Sequence, residues 1–114
     1  MTTGDAGSVA RRCLEAWTGG DFETLRSVLA DDVSFLGPLG ETQGADAYVA
    51  GIRGFAAMVE RAEIHEVIAD GDQAVLIYDL VTPRASLPTA GWYRVRDGKV
   101  TSVRAFFDPR PLTG

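Results

Sequence analysis

Few side chains in this sequence could move a proton or grip a polar ligand. Asp79 lies in Ala74 to Thr82, the longest strand candidate. At period two it shares a face with Val75, Ile77 and Val81, where it is the only polar member. A carboxylate sunk in that apolar setting would be desolvated, and could give or take a proton near neutral pH. Turned outward, it would instead pair with an arginine such as Arg104 or Arg84. Tyr93 could donate a hydrogen bond to a ligand oxygen, or pack as an amphipathic core residue. His65 is the only histidine. Its strand can be read two ways, with Ile64, Glu66 and Ile68 inward or with His65, Val67 and Ala69 inward. That strand should neighbour the one carrying Asp79, so the two residues could pair; a lone histidine also serves a purely structural or solvated role. Trp17 and Tyr48 fall at helical spacing, where packing comes before recognition. Cys13 reads as a small buried apolar residue.

Composition narrows the chemistry further. The chain has 114 residues, with 11 basic and 16 acidic side chains and a net charge of −5. That length fits one domain with one core. An acidic chain lacks the basic face that nucleic acid requires, so no nucleic-acid partner is expected. No apolar run approaches the roughly 20 residues of a membrane span. Met1 to Asp5 lacks the positive and apolar regions of a signal peptide. A single cysteine makes no internal disulfide, which points to the cytoplasm. With His65 and Cys13 as the only soft ligands, no metal site is expected. Phosphate-binding loops, dinucleotide fingerprints and nucleophile elbows are absent from the sequence.

The elements that must position these residues follow from periodicity. Residues 1–7 are small and polar and read as a disordered N-terminus. Ser8 reads as the cap of a first helix carrying Val9, Cys13, Ala16 and Trp17, which Gly19 and Gly20 stop. Asp21 caps a short second helix with Phe22, Leu25, Val28 and Leu29 on its apolar side, ended by Asp31 and Asp32. Val33 to Leu36 reads as a short strand, broken at Gly37-Pro38-Leu39-Gly40. After Gly44 a third helix places Tyr48, Ile52, Phe55 and Val59 on one face. Strands then run from Glu63 to Ala69, Ala74 to Thr82, Thr89 to Arg96 and Lys99 to Asp108. Asp97-Gly98 is the strongest hairpin signal, because both central positions need positive φ. Pro109, Arg110 and Pro111 read as a stiff extended tail. Arg94, Arg96 and Arg104 read as a solvated or partner-facing stripe. Three helices and a mainly antiparallel sheet make an α+β domain over residues 8–110, with a tail at 111–114.

The order of elements, with several short motifs, resembles the nuclear transport factor 2-like superfamily and its SnoaL-like branch. The motifs are Trp17-Thr18-Gly19-Gly20-Asp21-Phe22, Ala30-Asp31-Asp32-Val33, Gly44-Ala45-Asp46-Ala47, Asp97-Gly98-Lys99-Val100 and Phe106-Phe107-Asp108. That branch includes polyketide cyclases, ketosteroid isomerase and limonene epoxide hydrolase. The resemblance implies a cone of helices on a curved sheet, enclosing an apolar pocket, and often a homodimer through the outer sheet face. It implies a pocket wall that includes Trp17, Tyr48, Phe55, Ile77, Val103 and Phe107. It puts Thr89, Gly91, Tyr93 and Val95 inward, followed by Thr101, Val103, Ala105 and Phe107. The catalytic sets carry over poorly. The isomerase's base, tyrosine and protonated acid match Gly37, Cys13 and Gly91. The hydrolase's asparagine, arginine and base aspartate match Gly37, Ile77 and Ala105. Only Asp79 matches a retained acid.

Two functions are therefore expected. One is a cofactor-independent enzyme of isomerase, cyclase or epoxide hydrolase type acting on an apolar oxygenated molecule. Asp79 would move the proton, with Tyr93 and His65 orienting the ligand. The other is a dimeric ligand-binding or accessory domain that has lost the acid-base set. Apolar residues on both faces of the last strand favour a covered outer face in either case.

Overall fold

The computed structural model describes residues 5–113. Residues 1–4 of the expected disordered N-terminus, and Gly114 of the tail, lie outside them. The elements are α1 (Ala6–Thr18), α2 (Phe22–Ser27), β1 (Leu29–Gly37), β2 (Gly40–Gln43), α3 (Ala45–Ala56), β3 (Arg61–Asp70), β4 (Gln73–Val81), β5 (Ser86–Arg96), β6 (Lys99–Phe106) and α4 (Arg110–Thr113). One six-stranded sheet runs in the order β2-β1-β6-β5-β4-β3. All its pairs are antiparallel except β1 with β6. Helices pack on one face of this curved, unclosed sheet, as the α+β reading expects.

Local chemistry explains the boundaries. Asp5, not Ser8, caps α1: its carboxylate accepts from the Gly7 N–H at 3.3 Å and from the Ser8 hydroxyl at 3.2 Å. Residues 5–7 are thus ordered into the helix, against the expectation of a frayed start. Asp21 caps α2 by accepting from the Thr24 N–H at 3.1 Å. Asp31 and Asp32 do not end a helix; they lie inside β1. There Asp31 shares Arg26 with Asp46 at 3.0 and 3.1 Å, which ties α2 to β1 and α3. The Gly37–Gly40 segment turns β1 back into β2, a strand that the Gly-Pro signals concealed. Asp97 and Gly98 adopt φ of 54° and 75°, as a two-residue hairpin turn demands. The tail is not extended. Residues 110–113 form one helical turn, closed by an ion pair from Arg110 to Asp108 at 2.6 Å.

Two bulges set which side chains face the helices. The β3–β4 register skips His65, so two consecutive residues, His65 and Glu66, fall between inward Ile64 and inward Val67. Neither simple alternation expected for β3 holds, because each assumed an unbroken period of two. A second bulge between Arg94 and Val95 opposes Val95 to Val100. Val100 is therefore fully buried. On β4 the buried row is Ala74, Leu76, Tyr78 and Leu80. With Leu14, Leu25, Leu29, Val33, Leu87 and Val103 these form the core under α1 and α3.

Candidate functional site

A cavity of about 250 Å³ opens between the helices and the concave face of the sheet. This lies near the lower end of ligand-sized cavities, about 300 Å³. Its wall is aromatic. Trp17 of α1, Phe55 of α3 and Phe107 form a chain of rings with centroids 5.8 and 6.1 Å apart. Phe35 of β1 meets Tyr48 of α3 at 5.3 Å. Pro38 and Leu39, on the β1–β2 turn, border the mouth, and Leu39 is exposed. Trp17, Tyr48, Phe55, Tyr93, Val103 and Phe107 thus line one cavity rather than fill it.

The cavity's polar groups are mostly phenols, joined by the hydroxyl of Thr42, which is buried without a hydrogen-bond partner among the described residues. Tyr78 of β4 and Tyr93 of β5 both line the cavity, and their hydroxyls are hydrogen-bonded to each other. Tyr48 hydrogen-bonds the Cys13 thiol. Burial raises the pKa of all three phenols above the usual tyrosine value, with weaker contributions from neighbouring phenol and thiol groups. Burial likewise pushes the Cys13 thiol up to about 12. Every one of these groups stays protonated at neutral pH. They can donate hydrogen bonds, but none serves as a base or thiolate nucleophile there. Thr89 spends its hydroxyl proton on the Leu87 carbonyl at 2.9 Å. Glu41 borders the mouth, but it pairs with Leu36, on the face opposite the one that Phe35 and Thr42 share.

Two glycines explain why the phenols stand where they do. A Cβ on Gly91 would sit 2.9 Å from a ring carbon of Tyr93 and 3.4 Å from the Tyr78 hydroxyl. The position matched to the isomerase's protonated acid is thus filled by two rings. A Cβ on Gly37 would sit 2.9 Å from the tip of the Phe35 ring. The small residues at 37 and 91 make room for this chain's own aromatics.

Three expected site residues lie elsewhere. Asp79, Ile77 and His65 face the outer side of the sheet, away from the cavity. Asp79 is partly exposed, and its Oδ2 lies 3.0 Å from His65 Nε2, so the expected pairing forms outside the pocket. Ile77 is 36% exposed. The phase of β4 is the cause: an outward Asp79 keeps its carboxylate near water, and an inward Tyr78 buries a ring whose hydroxyl finds a partner. Sequence reasoning missed Tyr78 for the same reason. The available signal was the alternative row Ala74, Leu76, Tyr78 and Leu80, which contains no charge.

Among the described residues, no group of three or more His, Cys, Asp or Glu side chains could hold a metal. Among the described residues, no helix is long and apolar enough to cross a membrane.

Comparison with known proteins agrees with this architecture. The SnoaL-like domain model matches residues 10–103. A Kribbella flavida protein of solved structure is 30% identical with a TM-score of 0.90, over 98% of this chain and 93% of its own. An NTF2-like protein from Cytophaga hutchinsonii is 24% identical with a TM-score of 0.84, over the full length of both chains. An epoxide hydrolase from M. tuberculosis is 23% identical with a TM-score of 0.78, over 95% of this chain and 86% of its own. No curated protein matches the sequence. By the match of its family model over most of its length, the chain belongs to the SnoaL-like domain family, on the NTF2-like fold.

Proposed function

We propose that this protein binds a small, neutral, apolar molecule with an oxygen acceptor in the cavity, as a homodimeric cytoplasmic binding domain. The Tyr78–Tyr93 pair holds that oxygen, and the aromatic wall covers the rest of the ligand. The observation that carries the reading is that the cavity's buried polar groups are protonated phenols and the Thr42 hydroxyl, while the one matched acid, Asp79, pairs with His65 on the far side of the sheet. A bound carbonyl or ether oxygen would regain in the pocket the hydrogen bonds it leaves in water. An anionic ligand would lose its hydration and meet no counter-charge, since among the described residues no Lys, Arg or His lines the cavity. The Asp79-driven acid-base enzyme is not retained.

Titration of the 15N-labelled protein with a panel of small neutral ketones tests the proposal. Shifts should gather at residues lining the cavity. Tyr93→Phe and Tyr78→Phe should each weaken binding by about ten-fold, the scale of one hydrogen bond to a buried acceptor, while Asp79→Asn leaves affinity unchanged. Loss of affinity or turnover on Asp79→Asn, with the phenol variants unaffected, would overturn it.

A further inference from the structure

Thr42 carries the one buried side-chain polar atom that has no hydrogen-bond partner among the described residues. Such an atom gives up its hydration and gains nothing in return, so its presence calls for an explanation. Thr42 lies on β2, an edge strand of the sheet, and lines the cavity. It pairs with Phe35, Phe35 pairs onward with Val103, and Val103 pairs with Tyr93. These four residues form one row across β2, β1, β6 and β5, and each of them lines the cavity. Thr42 stands at one end of the row. Tyr93 stands at the other, hydrogen-bonded to Tyr78 on the floor of the cavity.

We infer that Thr42 is a second polar anchor, and that the ligand carries two oxygens: a carbonyl held by the Tyr78–Tyr93 pair and a hydroxyl held by Thr42. The inference rests on the reading of the cavity as a ligand site and adds the ligand's second functional group. Proton counting selects the two groups. Two phenols bonded to each other have one proton left over, so the floor takes an acceptor. A threonine hydroxyl both donates and accepts, so a ligand hydroxyl meets both of its needs. Register sets their separation. Three strand steps of about 4.8 Å put the ends of the row roughly 14 Å apart. A hydrogen bond of about 2.8 Å at each end leaves on the order of 8 Å between the ligand's oxygens. The apolar span between them lies along Phe35 and Val103. Protein atoms cover the Thr42 Oγ1, so it reaches the cavity by a turn about the Cα–Cβ bond. With no partner to leave, that turn breaks no hydrogen bond. Gly51 of α3 leaves room for the turn, since even a Cβ there would stand 3.7 Å from the Thr42 methyl group.

Calorimetric titration of the full chain with benzylacetone and with its para-hydroxy derivative tests this. The two probes differ by one hydroxyl, at the end of the molecule remote from the carbonyl. The wild type should bind the hydroxylated ketone about five-fold tighter or more, the scale of one added hydrogen bond. Thr42→Val keeps the shape and removes the hydroxyl, so it should bring the ratio of the two affinities to about one. Thr42→Ser should keep the wild-type ratio. Thermal unfolding should show Thr42→Val at least as stable as the wild type, because the hydroxyl it removes has no partner to lose. A ratio near one in the wild type, or a preference that survives Thr42→Val, would overturn the second anchor and keep the cavity as a ligand site. Failure of both ketones to bind would overturn the ligand-binding reading itself.

Discussion

Tyr78 and Asp79 are neighbours in β4 and stand on opposite faces of the sheet, the phenol over the cavity and the carboxylate beside His65. Their order in the chain decides which side of the sheet can do which chemistry. The same phase sends fully buried Leu76 inward and exposed Ile77 outward. Leu76→Ala should therefore cost about 2–5 kcal/mol through lost burial and a cavity. Ile77→Ala should cost less than about 1 kcal/mol in the monomer, because its side chain already meets water. Equal losses in urea denaturation would show that the phase of β4 is wrong.

Much of the fold was legible because its signals are local. The Asp21 cap, the face of α3 formed by Tyr48 and Ile52, and the Asp97-Gly98 turn each depend on residues a few positions apart. The site was less legible because facing depends on partners far along the chain. The bulge at His65 cannot be seen in the sequence of β3 alone; it appears only in the register with β4. Tyr93 and the aromatic wall lie around the cavity on strands and helices of regular spacing. Asp79 fell elsewhere because an apolar face with one acid and an apolar face with one tyrosine look equally plausible on β4. The cost of burying an unpaired carboxylate decides between them.

Gly91 is expected to tolerate no side chain. A methyl group there would press on the Tyr93 ring at 2.9 Å. The ring is held between buried strands, so it cannot retreat without disturbing Tyr78. Gly91→Ala should destabilise the protein by about 1–3 kcal/mol, in the range of overpacked cores. It should also weaken ketone binding, because the phenol pair shifts. Thermal unfolding and ligand titration on the same variant check both effects, and a variant of native stability would show that the floor is looser than described.

The His65–Asp79 pair should matter little to stability. His65 is 52% exposed and Asp79 29% exposed at the side chain, so solvent screens their attraction. A double-mutant cycle with His65→Ala and Asp79→Asn should give a coupling of about 0.2–1 kcal/mol. The measurement is best made where the protein is monomeric, to separate the pair from any effect on association. A coupling several times larger would mean that the pair is shielded from water.

Alkaline pH should expose the buried titrating cluster. Burial holds the Cys13 thiol at about 12, against an ordinary value of 9.0. Between those values the unfolded thiol has lost its proton and the native one has kept it. The native state then binds more protons, so stability falls as pH rises. The loss should begin near pH 9 and approach about 1.4 kcal/mol per pH unit for the thiol alone. Above the ordinary tyrosine value of 10.0, Tyr48, Tyr78 and Tyr93 add to it with the same sign, because burial raises each of them too. Urea denaturation midpoints measured from pH 7 to pH 11 should therefore decline in two stages. Cys13→Ala should remove the first stage and keep the second. In parallel, a thiol reagent at pH 8 should leave the native protein unlabelled and react with Cys13 once urea unfolds it. Rapid labelling of the native protein would mean that the thiol is neither buried nor protonated, and the phenol cluster built around it would have to be redrawn.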